Sequence, residues 1–268
     1  MIQNSIQIRG VRKAFPPAGG RAEVVVFREL TIEVEAGSTL VVVGPSGVGK
    51  TTLLDMIAGL SLPDAGEVRA GGHLIHDPAA SHLRFGYLFQ RDGLLPWRTA
   101  LSNALLGLEC RGERTAAQVE RARELFKRFG LDGAETALPH TLSGGQRQRV
   151  ALIQNIMFGP DVLLLDEPFG SLDYQTKLAL EDEMLDMLKS EGAARPTVVF
   201  VTHDIEEAVV MADRIVVLGS GGAIVYDVNV EMAPNDRGAI RGRQSDTMRT
   251  LFGVICSKLE LQRPPRTI

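Results

Sequence analysis

Eight residues constrain this chain more than any others. Gly44 to Thr51 read GPSGVGKT and satisfy G-x-x-x-x-G-K-[ST] at every fixed position. Their setting carries equal weight. The stretch 39–44, TLVVVG, is a continuous apolar run ending in glycine, as expected of a central strand buried on both faces. A helix is predicted to follow, with Leu53, Ile57 and Leu60 on one face and Gly59 near its C-terminal end. Strand, glycine-rich turn and helix together grip phosphate. Gly44, Gly47 and Gly49 let the backbone curl with its N–H groups pointing inward, a concave anion nest. The helix beginning near Lys50 adds its positive dipole end. Lys50 brings a full charge to the β- and γ-phosphates, and the Thr51 hydroxyl is a ligand for Mg²⁺. Pro45, Ser46, Val48 and Thr52 complete the expected nucleotide-binding stretch.

A second segment, VLLLDEP at 162–168, supplies what the loop lacks. Four apolar residues predict a buried strand, and Asp166 falls at its carboxyl end, where α/β sheets place ligands. A carboxylate there holds Mg²⁺ through water. Glu167, the next residue, reaches a water in line with the γ-phosphate and serves as general base or water-positioner. These two segments establish a nucleoside-triphosphate site without choosing among kinases, GTPases, helicases and transport ATPases.

The rest of the chain fits an α/β domain. Ile6, Ile8 and Val11 suggest a strand that Gly10 interrupts, PPAGG at 16–20 a loop, and 24–27 and 30–34 further strand-like runs. Helical spacing covers 99–108 and 116–129. In the second of these, Val119, Leu125, Phe126 and Phe129 line up while Arg121, Arg123, Glu124 and Lys127 face away. Strand and helix then alternate: the strand before Asp166, a helix over 177–189, the strand of TVVFVTHD, a helix over 205–212 and the strand RIVVL. Such alternation implies a mainly parallel sheet flanked by helices. Residues 220–223 form a turn between the runs 215–218 and 224–226, and 246–262 predict a terminal helix.

Bulk properties narrow the classes. A chain of 268 residues accommodates one large α/β domain, or one with a smaller inserted subdomain, and 44% hydrophobic residues suffice for its core. A net charge of −4 sets nucleic-acid binding at a disadvantage. Cys110 and Cys256 lie far apart, outside any CxxC pair or His cluster, and are expected to be reduced thiols. The opening MIQNSIQIRGVRKAF has no apolar run of signal-peptide length. The longest apolar stretches are far below the roughly 18 residues a membrane span needs. Work at a membrane would therefore require other subunits to provide the span.

LSGGQ at 142–146 narrows the class decisively. It precedes a helix on which Val150, Ile153 and Met157 share a face. Ser143 suits the N-cap, and Gly144 and Gly145 allow close backbone approach to an anion. The chain thus holds a second phosphate-binding helix start. One nucleotide cannot easily need both from the same chain. A head-to-tail dimer resolves this, with ATP between the phosphate loop of one copy and Ser143, Gly144, Gly145 and Gln146 of the other.

With these motifs in order, the chain resembles the nucleotide-binding subunits of ABC transporters over nearly its whole length. The resemblance implies an ABC ATPase: a P-loop NTPase core with a mainly parallel sheet, an N-terminal antiparallel β subdomain and an inserted α-helical subdomain. It implies boundaries of 5–228 for the ATPase domain, about 91–160 for the helical insertion, and 229–268 for a C-terminal extension with a helix. Gln90, in YLFQRDGLLPW, matches the glutamine that senses the γ-phosphate and Mg²⁺. SLD at 171–173 matches the D-loop that crosses the dimer interface, which brings Asp173 to the nucleotide. His203 in VTHD matches the switch histidine at the γ-phosphate. Phe15 occupies the region of an aromatic ring that stacks on adenine, with core packing as its other reading. One departure stands out: where the family continues LSGGQRQRVAL with Ala-Arg-Ala, this chain has Ile153, Gln154 and Asn155.

Within the family, FQRDGLLPWRTALSNALLGLE, DEPFGSLDYQT and VTHDIEEAVVMADRIVVL look most like import ATPases for nitrate, taurine, aliphatic sulfonates and related small anions. The resemblance then implies integral membrane permease subunits as partners, a second ATPase subunit in an ATP-sandwiched homodimer, and a substrate-binding protein acting indirectly. It implies a peripheral location on the cytoplasmic face of the inner membrane, and no nucleic-acid partner. Leu94, Leu95, Pro96 and Trp97 are expected to dock a cytoplasmic helix of the permease, with packing of the helical subdomain as the competing role of Trp97. An ATPase of a lipid-transport or export system is the nearer rival, and a non-transport ABC ATPase the remoter one.

Overall fold

The computed structural model describes residues 4–16, 23–170, 172–189 and 195–260. The chain opens with strands β1 (Ile6–Phe15), β2 (Val24–Val34) and β3 (Thr39–Val43), then helix α1 (Lys50–Ile57), strands β4 (Ala65–Ala70), β5 (His73–Leu74) and β6 (Phe85–Leu88). Helices α2 (Ala100–Ala104), α3 (Leu106–Cys110), α4 (Ala116–Arg128) and α5 (Gly144–Phe158) follow as a group. The second half alternates β7 (Val162–Asp166), α6 (Tyr174–Lys189), β8 (Thr197–Thr202), α7 (Ile205–Met211), β9 (Arg214–Leu218) and β10 (Ile224–Asn229). It closes with α8 (Ala239–Gln244) and α9 (Asp246–Glu260).

These strands make two sheets. The larger runs β10-β9-β3-β8-β7-β6, with every pairing parallel except β10 against β9. The smaller, β2-β1-β4-β5, is antiparallel. The mixed α/β class with an antiparallel β subdomain is thus the one expected. Side chains of a strand alternate between faces, and here the alternation sorts the apolar runs into two cores. Val41, Val43, Leu163, Leu165 and Phe200 face a cluster built with α2, α4, α5, α6 and α7. Leu40, Val42, Leu164, Val199 and Val201 face α1 and the small sheet, where Leu53, Leu54, Ile8, Phe27 and Ile32 are buried. All five residues of β3 are buried, as are all five of β7 and all six of β8. That two-sided burial is why they read as unbroken apolar runs.

Several local expectations change. The strand that Gly10 seemed to break continues to Phe15 through register shifts beside Gly10, whose φ is +56°. Residues 24–34 form one strand, not two runs. The helix after the phosphate loop ends at Ile57, and Leu60 lies beyond it, 64% exposed. The helix over 99–108 breaks at Leu105 into α2 and α3. The helix predicted from 177 begins at Tyr174, and the final helix is described to Glu260, with 261 and 262 outside the described residues. The β4–β5 hairpin and α8 add to the elements expected from the sequence. No helix among the described residues is long and apolar enough to cross a membrane.

Candidate functional site

The parallel strands β3, β8, β7 and β6 end along one edge of the large sheet, and the predicted residues follow from those ends. After β3 the chain turns through residues 44–49 into α1. Each loop glycine is required for its own reason. Gly49 caps α1 with φ +109°, and a Cβ there would lie 2.3 Å from Val26 Cγ1. Gly47 has φ +80° in open space. A Cβ on Gly44 would meet the Leu218 carbonyl at 2.9 Å. No side chain caps the N-terminus of α1. Its first N–H groups are therefore left for an outside acceptor.

Lys50 folds back over the loop. Its Nζ donates to the carbonyls of Gly44 at 2.8 Å and Pro45 at 3.2 Å. Burial pulls its pKa down, opposed by the charges of Glu167 and Asp166. The ammonium is thus desolvated and held by neutral oxygens, a state that an anion relieves. Thr51 Oγ1 donates to Asp166 Oδ2 at 2.8 Å, which joins the loop to the end of β7. Burial pushes the Asp166 carboxyl up, with the Thr51 hydrogen bond acting against it. A hydroxyl and a carboxylate side by side are hard oxygen donors of the kind Mg²⁺ takes. The residues present therefore fit both a polyphosphate and its cation.

Glu167 follows directly. Its φ of +49° makes it the one non-glycine residue with positive φ among the described residues. Such a conformation costs about 1–2 kcal/mol. It is held from two sides: the Glu167 N–H donates to the Val201 carbonyl at 3.0 Å, and Gln148 Nε2 donates to the Glu167 carbonyl at 3.2 Å. The carboxylate Oε1 then sits 3.1 Å from His203 Nδ1, with the histidine side chain 61% exposed. Gln148, buried on α5, was missed by sequence reasoning; nothing in its local pattern distinguishes it from its polar neighbours.

A cleft of about 420 Å³ opens at this edge, lined by the loop, Lys50, Thr51, Thr52, Gln90, Asp166 and Glu167. Phe15, at the end of β1, stands at the same cleft, 43% exposed. It is therefore not a core phenylalanine. His203 lines a neighbouring hollow of about 450 Å³ with Gly44, Pro45, Ser46 and Val48.

Ser143, Gly144, Gly145, Gln146 and Asp173 line neither cavity. Ser143 caps α5 in a reciprocal box: the Gln146 N–H donates to Ser143 Oγ at 3.2 Å, and the Ser143 N–H donates to Gln146 Oε1 at 2.8 Å. Asp173 receives the Thr176 N–H at 3.0 Å at the start of α6. Ser171, first of the SLD triplet, lies outside the described residues.

The turn beyond Gln90 corrects one expectation. Leu94 is 8% exposed and belongs to the core, while Trp97 is 74% exposed. The cause is Asn103, fully buried on α2. It accepts the Leu95 N–H at 2.8 Å and donates to the carbonyls of Leu95, Arg98 and Thr99, which pins the turn with Trp97 outward.

Comparison with known proteins shows the family. A family model described as ABC transporter matches residues 27–170. An uncharacterized ABC transporter ATP-binding protein of Methanocaldococcus jannaschii is 40% identical over 237 residues, 88% of this chain and 86% of that protein. The taurine import ATP-binding protein TauB of Escherichia coli (strain K12) is 42% identical over 201 residues, 75% of this chain and 76% of that one. A dimeric post-hydrolysis structure of the ATP-binding cassette MJ0796 bound to ADP and Pi superposes with a TM-score of 0.75 at 26% identity. It covers 85% of this chain and 100% of that cassette.

Proposed function

The chain belongs to the ABC transporter family as an ATP-hydrolysing subunit, and on that premise we propose that it powers uptake of a small anion, of the class of taurine, alkanesulfonates or nitrate, through partner permease subunits. The observation that carries the mechanism is the meeting of Lys50, Thr51, Asp166 and Glu167 at one cleft. Lys50 and the N–H groups of residues 44–51 bind the phosphates. Thr51 and Asp166 would hold Mg²⁺, with Gln90 at the same cleft. The ion, when bound, neutralises charge on the β- and γ-phosphates.

Glu167 accepts the proton of the attacking water, and its backbone bonds to Val201 and Gln148 fix where the carboxylate points. His203, hydrogen-bonded to that carboxylate, orients it and faces the γ-phosphate. Phe15 offers its exposed face to adenine.

Ser143, Gly144, Gly145 and Gln146 act in a second copy. The capping box engages the acceptor side of the Ser143 hydroxyl and leaves its proton to donate across the interface. Asp173 accompanies them. The dimeric form of the MJ0796 cassette supports this assembly. Outward-facing Trp97 supports a docking contact with the permease at the cytoplasmic side of the inner membrane.

The import reading rests on similarity to TauB. Its test is purification of the tagged chain with its permease from native membranes, followed by uptake assays in vesicles with labelled taurine, alkanesulfonates and nitrate. ATP-dependent accumulation of one of these, lost in Glu167→Gln, is expected. Co-purification with a lipid-export permease instead, or ATP turnover with no membrane partner, refutes it.

A further inference from the structure

Behind the switch histidine lies a partly buried charge cluster that the mechanism above does not use. It joins three segments distant in sequence. Lys177, one turn into α6, reaches Asp204 Oδ2 at 2.6 Å and Glu207 Oε1 at 2.5 Å. Asp204 directly follows His203 and caps α7, receiving the N–H groups of Glu206 at 2.8 Å and Glu207 at 3.2 Å. Thr202, on the other side of His203, donates its hydroxyl to Glu207 Oε2 at 2.5 Å. His203 is thus flanked on both sides by residues whose side chains lead to Lys177.

The C-terminal extension provides the second cation. Arg243 of α8 grips Glu181 of α6 with both terminal nitrogens, at 2.5 and 2.9 Å, and donates from Nε to Glu206 of α7 at 2.9 Å. Glu181 is fully buried and the Arg243 side chain is 8% exposed. Asp182, the next residue of α6, receives the N–H of Ala239 at the start of α8 at 2.7 Å. Buried bidentate pairs fix geometry more firmly than surface pairs do.

The arrangement of these contacts has a functional direction. Helix α6 begins at Tyr174, directly after Asp173, assigned above to the dimer interface, and α7 begins at Ile205, two residues after His203. Lys177 ties their first turns together, and Arg243 ties Glu181, further along α6, to Glu206 in the first turn of α7. We infer that Lys177 and Arg243 are positioning residues for ATP hydrolysis, through which the C-terminal extension holds the Asp173 helix and the His203 helix as one rigid unit. A partner's approach sensed at Asp173 then reaches His203, and through it Glu167, without slack. Lys177 sets the backbone on either side of His203; Arg243 prevents α6 and α7 from sliding apart. This inference rests on the roles given to Asp173, His203 and Glu167 under Proposed function.

The test measures kcat, the Kd for MgATP and the melting temperature in Lys177→Met, Lys177→Arg, Arg243→Met, Arg243→Lys, His203→Ala and the Lys177→Met/His203→Ala double variant. Lys177→Met is expected to lower kcat about tenfold or more, since small misplacement of a reacting group costs this much. Its Kd should stay within about twofold of wild type, because the lost interaction acts on turnover and not on binding. Lys177→Arg should recover most of the rate. Arg243→Met should lower kcat less, with Arg243→Lys in between. The double variant, followed in single turnover, should be no slower than His203→Ala, since Lys177 acts through His203. Losses that multiply in the double variant overturn the inference. So does a normal kcat in folded Lys177→Met, or a parallel fall of affinity, rate and melting temperature. Should the Met variants fail to fold, the charge-retaining Arg243→Lys decides: wild-type kcat in that variant overturns the inference. Normal turnover in His203→Ala would instead remove the reading of the site on which it rests.

Discussion

Replacing Gly49 by alanine adds one methyl group at the most crowded point of the phosphate loop. Two costs follow from the geometry. The backbone there has φ +109°, which an L-residue adopts at a penalty of about 1–2 kcal/mol. The new Cβ would sit 2.3 Å from Val26 Cγ1 and 2.9 Å from Phe27 Cζ. Phe27 is fully buried and cannot retreat, so relief must come from shifting β2 or the loop. Overpacking of this kind costs about 1–3 kcal/mol. Together the two give roughly 2–5 kcal/mol, or a fall in melting temperature of roughly 4–20 °C for a chain of this size. The two costs separate in a double-mutant cycle. Val26→Ala removes the nearest clashing carbon and leaves φ untouched. Combined with Gly49→Ala it should restore up to about 1–3 kcal/mol of stability while MgATP affinity stays impaired. Urea unfolding of the four proteins, with nucleotide titrations alongside, measures both quantities. Wild-type stability in Gly49→Ala, or no coupling with Val26→Ala, would refute the reasoning.

Other perturbations test the remaining parts of the site. Glu167→Gln should bind MgATP yet hydrolyse it ~10²–10⁴ times more slowly, and ATP should hold the protein as a dimer in size-exclusion chromatography; a hydrolysing or persistently monomeric variant speaks against the role. Lys50→Ala should lose most ATP affinity, and mixing it with Ser143→Arg should recover part of the ATPase activity that each lacks alone, because one composite site then keeps both halves. Absence of recovery with mixed dimers present would exclude the shared site. Trp97 and Leu94 should now behave in opposite ways. Trp97→Ala should leave stability within about 0.5 kcal/mol and weaken permease capture roughly thirtyfold, as loss of ~2 kcal/mol from an interface anchor does. Leu94→Ala should instead destabilise the chain by about 2–5 kcal/mol.

What could be read from the sequence was what local pattern encodes. The apolar run of β3, the loop that follows it and the Ser143 cap are each specified within a few residues, and each took the expected form. Leu94 and Trp97 show the limit. Both are large apolar residues in one short stretch, and only Asn103, several residues later, decides which turns inward. The β4–β5 hairpin escaped notice because its residues, AGEVRA and HL, are short and mostly polar or small. Gln148 beneath Glu167 and Arg243 against Glu181 were illegible for a different reason. Their partners are 19 and 62 residues away, and no periodicity links a side chain to a neighbour chosen by the fold.

The strand order across the large sheet sets how far each group must reach. From β3 the edge reads β8, β7 and then β6, so the strands leading to Lys50, His203, Glu167 and Gln90 stand in that sequence. Neighbouring strands are about 4.8 Å apart, which puts β6 roughly 14 Å from β3. A triphosphate seated on the loop lies within a side chain's length of the two strands next to it. Gln90 starts from the third and must span the remainder on two residues of exposed chain after Leu88. Its place at the cleft is therefore governed by distance as well as by chemistry. Of the groups along this edge, Glu167 and His203 directly follow their strands, whereas Gln90 stands two residues past the end of β6.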